Sequence, residues 1–186
     1  MQDDFCALAV SLGIDRAEMI GAEQIVMDRR FREQCASNAC GVYGKCWMCP
    51  PNVGDIDALM EEARGYASAL LYQSIHQLED SFDYEGMVEG GRRHSMLSSR
   101  LDQALKSAGY SGFLHLSKGG CGVCATCAKI ENKPCRFPEK ALASLEAYGV
   151  NVSATVKHTS MKYINGVNTV TYFGLILFKE NAPCLS

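Results

Sequence analysis

Apolar residues recur at helical spacing over residues 3–12, where Phe5, Leu8, Ala9 and Leu12 share one face. Gln24 to Met27 reads as a short strand ahead of a cysteine-rich loop that Pro50-Pro51 closes. Asp55 is placed to cap a helix carrying Ile56, Leu59, Met60 and Ala63, with Gly65 at its end. Ala67 to Ile75 is a continuous apolar run of strand length. A longer helix is expected over 85–108, with Leu97, Leu101, Leu105 and Ala108 in phase, Gly109 after its end and Gly90-Gly91 weakening its start. Gly112 to Leu116 reads as a strand feeding a second cysteine-rich loop. Pro138 to Tyr148, flanked by an early proline and a late glycine, reads as a helix. The alternation of Val150 to Val156 reads as a half-buried strand, and Gly166 to Phe178 as a further one after a turn at Asn165-Gly166. The expected fold is α/β or α+β. It is a single sandwich of a mixed sheet with helices, covering 1–186 as one domain, with cysteine loops at 35–51 and 119–138 following strands at one end of the sheet.

Composition narrows the class. The chain has 186 residues, 47 % of them hydrophobic, and 21 acidic against 18 basic side chains give a net charge of −3. That balance argues against charge-driven nucleic-acid binding. No apolar run reaches the roughly 18 residues of a membrane span. The acidic start Met1-Gln2-Asp3-Asp4 lacks the basic segment of a secretory signal, so a cytoplasmic setting is expected.

Ten cysteines change the picture. In a reducing cytoplasm disulfides are a poor use for them. Eight fall into two tight groups, Cys35, Cys40, Cys46 and Cys49, then Cys121, Cys124, Cys127 and Cys135; Cys6 and Cys184 stand alone. Clustering of this kind points to metal ligation. The second group reads C-x2-C-x2-C-x7-C. Zinc sites usually split their ligands into two separated pairs, whereas three cysteines at x2 intervals suit a [4Fe-4S] cluster that a short loop can wrap. The fourth cysteine lies further off than in the bacterial ferredoxin run, so Cys135 either completes this cluster from a longer arm or ligates another centre.

Four thiolates around such a core carry a net charge of about −2. Gly119, Gly120 and Gly122 let backbone N–H groups approach the sulfurs, and Lys118, Lys129, Lys133, Arg136 and Lys140 can offset the charge, dock an acidic partner or simply face solvent. The first group matches no common zinc spacing; Cys49-Pro50 echoes a ferredoxin ending, and Tyr43, Trp47 and Met48 are either a shield against water or core. His76, His94, His115 and His158 are read as core or surface histidines rather than ligands. Arg92-Arg93-His94 is read as a solvated helix start in preference to an anion site.

Cys46-Trp47-Met48-Cys49-Pro50-Pro51, Cys121-Gly122-Val123-Cys124-Ala125-Thr126-Cys127, Pro134-Cys135-Arg136-Phe137-Pro138 and Ser144-Leu145-Glu146-Ala147-Tyr148-Gly149-Val150 together resemble a known family. It is that of uncharacterised, cysteine-rich predicted metal-binding proteins of anaerobic bacteria and archaea. Ala143 and Leu145 depart from the proline and methionine frequent in its late segment, away from the ligands. The resemblance implies metal binding, with iron–sulfur as the expected form, and no established reaction.

Three functions follow for these residues. The first is a redox protein passing single electrons through two [4Fe-4S] clusters to a protein partner, with the eight clustered cysteines as ligands. The second is an enzyme using one cluster at an open iron. The third is a structural zinc module. No G-x-G-x-x-G, Walker loop, H-E-x-x-H or G-x-S-x-G is present.

Overall fold

A computed structural model describes residues 3–180. Five strands, β1 (Arg16–Gly21), β2 (Ser68–Gln77), β3 (Leu114–Ser117), β4 (Ala143–Ser144) and β5 (Thr169–Phe178), form one sheet in the order β1-β2-β5-β3-β4. Every pairing is antiparallel except β3 with β4. The fold is α+β with a mixed sheet, as expected.

The period of two along a strand sorts the core into two layers. Leu70, Tyr72, Ile176 and Phe178 face α1 (Asp3–Ser11) and α4 (Tyr84–Ser107), packing on Phe5, Ala9, Leu101 and Leu105. Ala69, Leu71, Leu175 and Leu177 face the opposite way, onto Leu59 and Ala63 of α3 (Ile56–Arg64) and onto Leu145, Ala147, Val150 and Val156. With both faces covered, β2 is buried from Ser68 to Ser74, which is why it reads as an unbroken apolar run. The cap on α3 is Asp55, whose Oδ1 accepts from the backbone N–H of Asp57 and Ala58 at 3.0 and 3.2 Å.

Four expectations are corrected. The strand before the first cysteine loop is not at 24–27 but at Arg16–Gly21, and 22–24 form a 3-10 turn; only Met27 keeps a single bridge, to Val150. As an edge strand β1 buries Ile20 alone, so its charged residues hide the alternation. The first loop is instead entered from a helix, α2 (Arg30–Ala36). The expected helix over 138–148 divides into a 3-10 turn at Pro138–Lys140, β4, and a second 3-10 turn at Glu146–Tyr148. Pairing with the free edge of β3, extended by Leu145 N–H donating to Ser117 O, outcompetes local helix propensity. Where a strand was expected at 150–156 there is a short helix α5 (Val152–Thr155), because the Asn151 side chain accepts from Ala154 N–H and caps it.

Gly90-Gly91 neither delays nor breaks α4. Both are buried, and a Cβ on Gly90 would stand 2.9 Å from the His76 ring. The glycines let the helix lie close on the sheet, a packing gain that outweighs their lower helix propensity of about 1 kcal/mol each.

Candidate metal centre

Cys35 occupies the last turn of α2, and Cys40, Cys46 and Cys49 follow in the loop. Arg32, one turn before Cys35, donates to the carbonyls of Ala147 and Gly54, tying α2 to the cover of the sheet and to the end of the loop. Asp28 N–H donates to Gly149 O at 2.7 Å, holding the chain before α2 on the same cover. Met48 and Val53 are anchored against the apolar layer above Leu71 and Leu175. Pro50, behind Cys49, accepts the N–H of Gly44, closing the loop on itself. The second loop leaves β3 at Ser117, and its Cys127 leads into a 3-10 turn at Ala128–Glu131.

The two loops meet. Trp47 Nε1–H donates to Lys133 O at 2.9 Å, and the Lys129 ammonium lies 4.6 Å above the Trp47 ring. A Cβ on Gly120 would touch Cys49 Sγ at 3.4 Å and Val42 at 3.5 Å. One cleft is lined by Cys46 of the first loop together with Cys121, Cys124, Cys127 and Cys135 of the second, with Trp47, Met48 and Phe137 around them. Cys46 stands beside both groups, since its thiol lies close enough to Cys49 and to Cys127 for each to favour its ionised form. Cys49 in turn feels the charges of Cys46, Cys40 and Cys35. The division into two fours by sequence is therefore bridged in space at Cys46.

Sulfur electrostatics follow from this packing. The hydrogen bond from Cys49 pulls the Cys46 thiol down to about 5 despite its burial, helped by the backbone N–H groups of Met48 and Cys121. The same partnership, with burial, pushes Cys49 up. Burial raises Cys121, opposed by backbone donors at Val123 and Leu142, and burial also raises Cys35. Peptide N–H groups of Met48, Cys121, Val123 and Leu142, none of them a glycine, thus favour the thiolate at two of the sulfurs.

All nine cysteines among the described residues are free thiols, and Cys184 lies outside the described residues. Among the described residues no three His, Cys, Asp or Glu side chains are gathered tightly enough to hold a single metal ion. The histidines stay away from the sulfurs. His158 is exposed, and His76, His94 and His115 lie along β2, α4 and β3 in or beside a buried polar network.

That network leaves only a faint trace in the sequence. The Asp102 carboxylate bonds His115 Nδ1 at 3.3 Å and accepts from Lys106 at 2.6 Å. His115 Nε2 meets Tyr72 Oη at 2.7 Å; Tyr72 meets Ser98 Oγ at 2.8 Å, and Ser98 meets Ser117 Oγ at 2.9 Å. A continuous chain of polar side chains thus crosses the core beside the sheet and ends four residues before Cys121. Burial opposes ionisation of Asp102, yet the hydrogen bonds from His115 and Lys106 hold it below the usual carboxylate range. The nearest sequence signal was the polar set His94, Ser98 and Asp102 spaced every four residues along α4.

Burial drives His94 from 6.5 down to about 3, and drives His115 down too. Below about 6.5 the unfolded chain binds protons that these folded histidines refuse. For His94, stability should then fall with pH from about 6.5 towards 3, by up to about 1.4 kcal/mol per unit, and His115 adds a loss of the same sign. Urea midpoints at pH about 7.5 and about 5.0 check this. His94→Gln should be less stable at the higher pH but show a shallower loss on acidification than the parent.

A sequence model of the predicted metal-binding protein family DUF2284 matches residues 18–178. The chain belongs to this family. The match takes in both cysteine loops and four of the five strands whole. No curated protein and no solved structure matches the chain. Membership makes this a predicted metal-binding protein and leaves the metal open. No helix among the described residues is long and apolar enough to cross a membrane.

Proposed function

We propose that this DUF2284 protein is an iron–sulfur protein whose two loops hold two [4Fe-4S] clusters and exchange single electrons with a protein partner. The observation that carries the reading is the cleft in which Cys46 joins all four cysteines of the C-x2-C-x2-C-x7-C loop. The donor set is sulfur alone, flanked by apolar and aromatic side chains and approached by peptide N–H groups, which suits a soft, thiolate-bound group. Cys46, Cys121, Cys124, Cys127 and Cys135 are the candidates for one cluster, and Cys35, Cys40 and Cys49, with Cys46 shared, for the other. When bound, the clusters supply one-electron exchange at a potential set by hydrogen bonds to sulfur and by burial.

The chain's own residues set the conditions for that exchange. Trp47, held by Lys133 and Lys129, and Phe137 cover part of the sulfur cleft. Met48 fixes the first loop to the core so that Cys46 and Cys49 stay against the second. Contact between the loops keeps the two thiol groups neighbours, as a relay needs.

An anaerobic potentiometric titration followed by visible absorption tests the function. The reading expects reversible bleaching with one-electron steps, without any added substrate. A protein that never bleaches reversibly, or that carries zinc in place of iron, would reject electron transfer and leave the structural module.

A further inference from the structure

The second face of the Cys121 loop is a groove of about 650 Å³ between that loop and α4. Its lining includes three cations, Arg92, Lys118 and Lys140, and no Asp or Glu. None of the three has a hydrogen bond or ion pair to an acid among the described residues. In a chain with a net charge of −3, three uncompensated cations in one concavity are unexpected.

Lys140 of the groove lies 5.4 Å from the Phe137 ring, whereas the other basic residues near the second loop also have polar partners. Lys129 stacks on Trp47 and donates to Asn132, Lys133 pairs with Glu131, and Arg136 donates to Thr126 O. Lys118 is different. Its side chain is half-buried and crosses α4 where Gly91 leaves room; a Cβ there would come within 3.0 Å of the ammonium. The Tyr172 ring lies 5.7 Å beneath it. Burial lowers the Lys118 pKa, so an unneutralised charge is being held where it is not fully solvated.

We propose that this groove is a binding site for a small organic anion bearing more than one carboxylate or phosphate group, held by Lys118, Arg92 and Lys140. Ser99 and Gln103 supply uncharged donors, while Met96 and Leu142 give apolar surface to a carbon skeleton. The size suits a small molecule rather than a flat protein contact. Cys121 lines both this groove and the sulfur cleft, so the bound anion lies against the cysteine loop. Binding stands on the groove alone; its position beside a redox centre rests on the iron–sulfur reading.

Calorimetric titration of the anaerobically purified protein at constant ionic strength tests this, with succinate and inorganic phosphate as probes and glycerol as control. Iron content is measured on the same batch, so failure of the metal reading shows separately. The expected result is saturable one-site binding of at least one anion, weakened about tenfold in Lys118→Gln and in Arg92→Gln. Lys162→Gln, an exposed cation outside the groove, should bind as the parent does. Folding of each variant is checked by its melting curve, and two independent groove variants guard against one that misfolds. No saturable binding up to about 10 mM, equal weakening in Lys162→Gln, or binding of an acidic peptide but of neither small anion would overturn the proposal.

Discussion

Cys46→Ser should strip iron from the protein as severely as Cys127→Ser does, although Cys46 lies 75 residues before Cys121, the first cysteine of the second loop. A serine offers a hard, barely ionised hydroxyl in place of a soft thiolate, which iron–sulfur clusters tolerate poorly. Cys46 lines the same cleft as Cys121, Cys124, Cys127 and Cys135 and lies close to both Cys49 and Cys127. Its loss therefore reaches both groups, and the expected deficit is at least one cluster, or about four irons per chain. Ligation and folding are linked, so the variant should also melt earlier than the parent. Cys6→Ser, on α1, should keep its iron. The readout is iron and acid-labile sulfide after anaerobic reconstitution. Undiminished iron in Cys46→Ser would remove it from the ligand set and restore the division of the thiols by loop.

Gly174→Ala should be among the most destabilising single-methyl changes in the molecule. In an ordinary strand alanine in place of glycine is favourable by roughly 0.5–1 kcal/mol. Here the sign reverses. Gly174 pairs with Tyr72 across β2 and β5, and a Cβ would stand 2.1 Å from the Tyr72 ring and hydroxyl. The ring cannot give way easily, because Tyr72 is fully buried and its hydroxyl is bonded to Ser98 and His115. Overpacking costs about 1–3 kcal/mol and each buried hydrogen bond lost about 1 more, so a loss of about 3 kcal/mol or greater is expected in urea unfolding. Adding Tyr72→Ala should relieve the clash, making the double variant less unstable than the sum of the two singles. A Gly174→Ala protein as stable as the parent would contradict the packing of β2 against β5.

How far the sequence led depended on which force dominated locally. β2, α3, α4 and the long last strand were legible because apolar periodicity and a capping Asp55 agree with their packing. β1 was hidden by Arg16 and Glu18 on an exposed edge, and α2 by a polar sequence that buries nothing. Residues 143–156 were misread because a non-local partner, the edge of β3, and a local cap, Asn151, overrode propensity and alternation. The thiols were legible as candidates from spacing alone. Their meeting at Cys46 was not, because Trp47 to Lys133 and Cys49 to Gly120 are contacts across more than 70 residues. The groove cations were visible individually, but only the fold brings Arg92, Lys118 and Lys140 to one concavity.

Metal and sulfide analysis of protein purified without oxygen tests most directly whether these thiols hold iron–sulfur clusters. The expected result is a brown protein with broad visible charge-transfer absorption and about four irons and four acid-labile sulfides for each cluster, hence roughly twice that per chain. A colourless protein with stoichiometric zinc and no labile sulfide would contradict it.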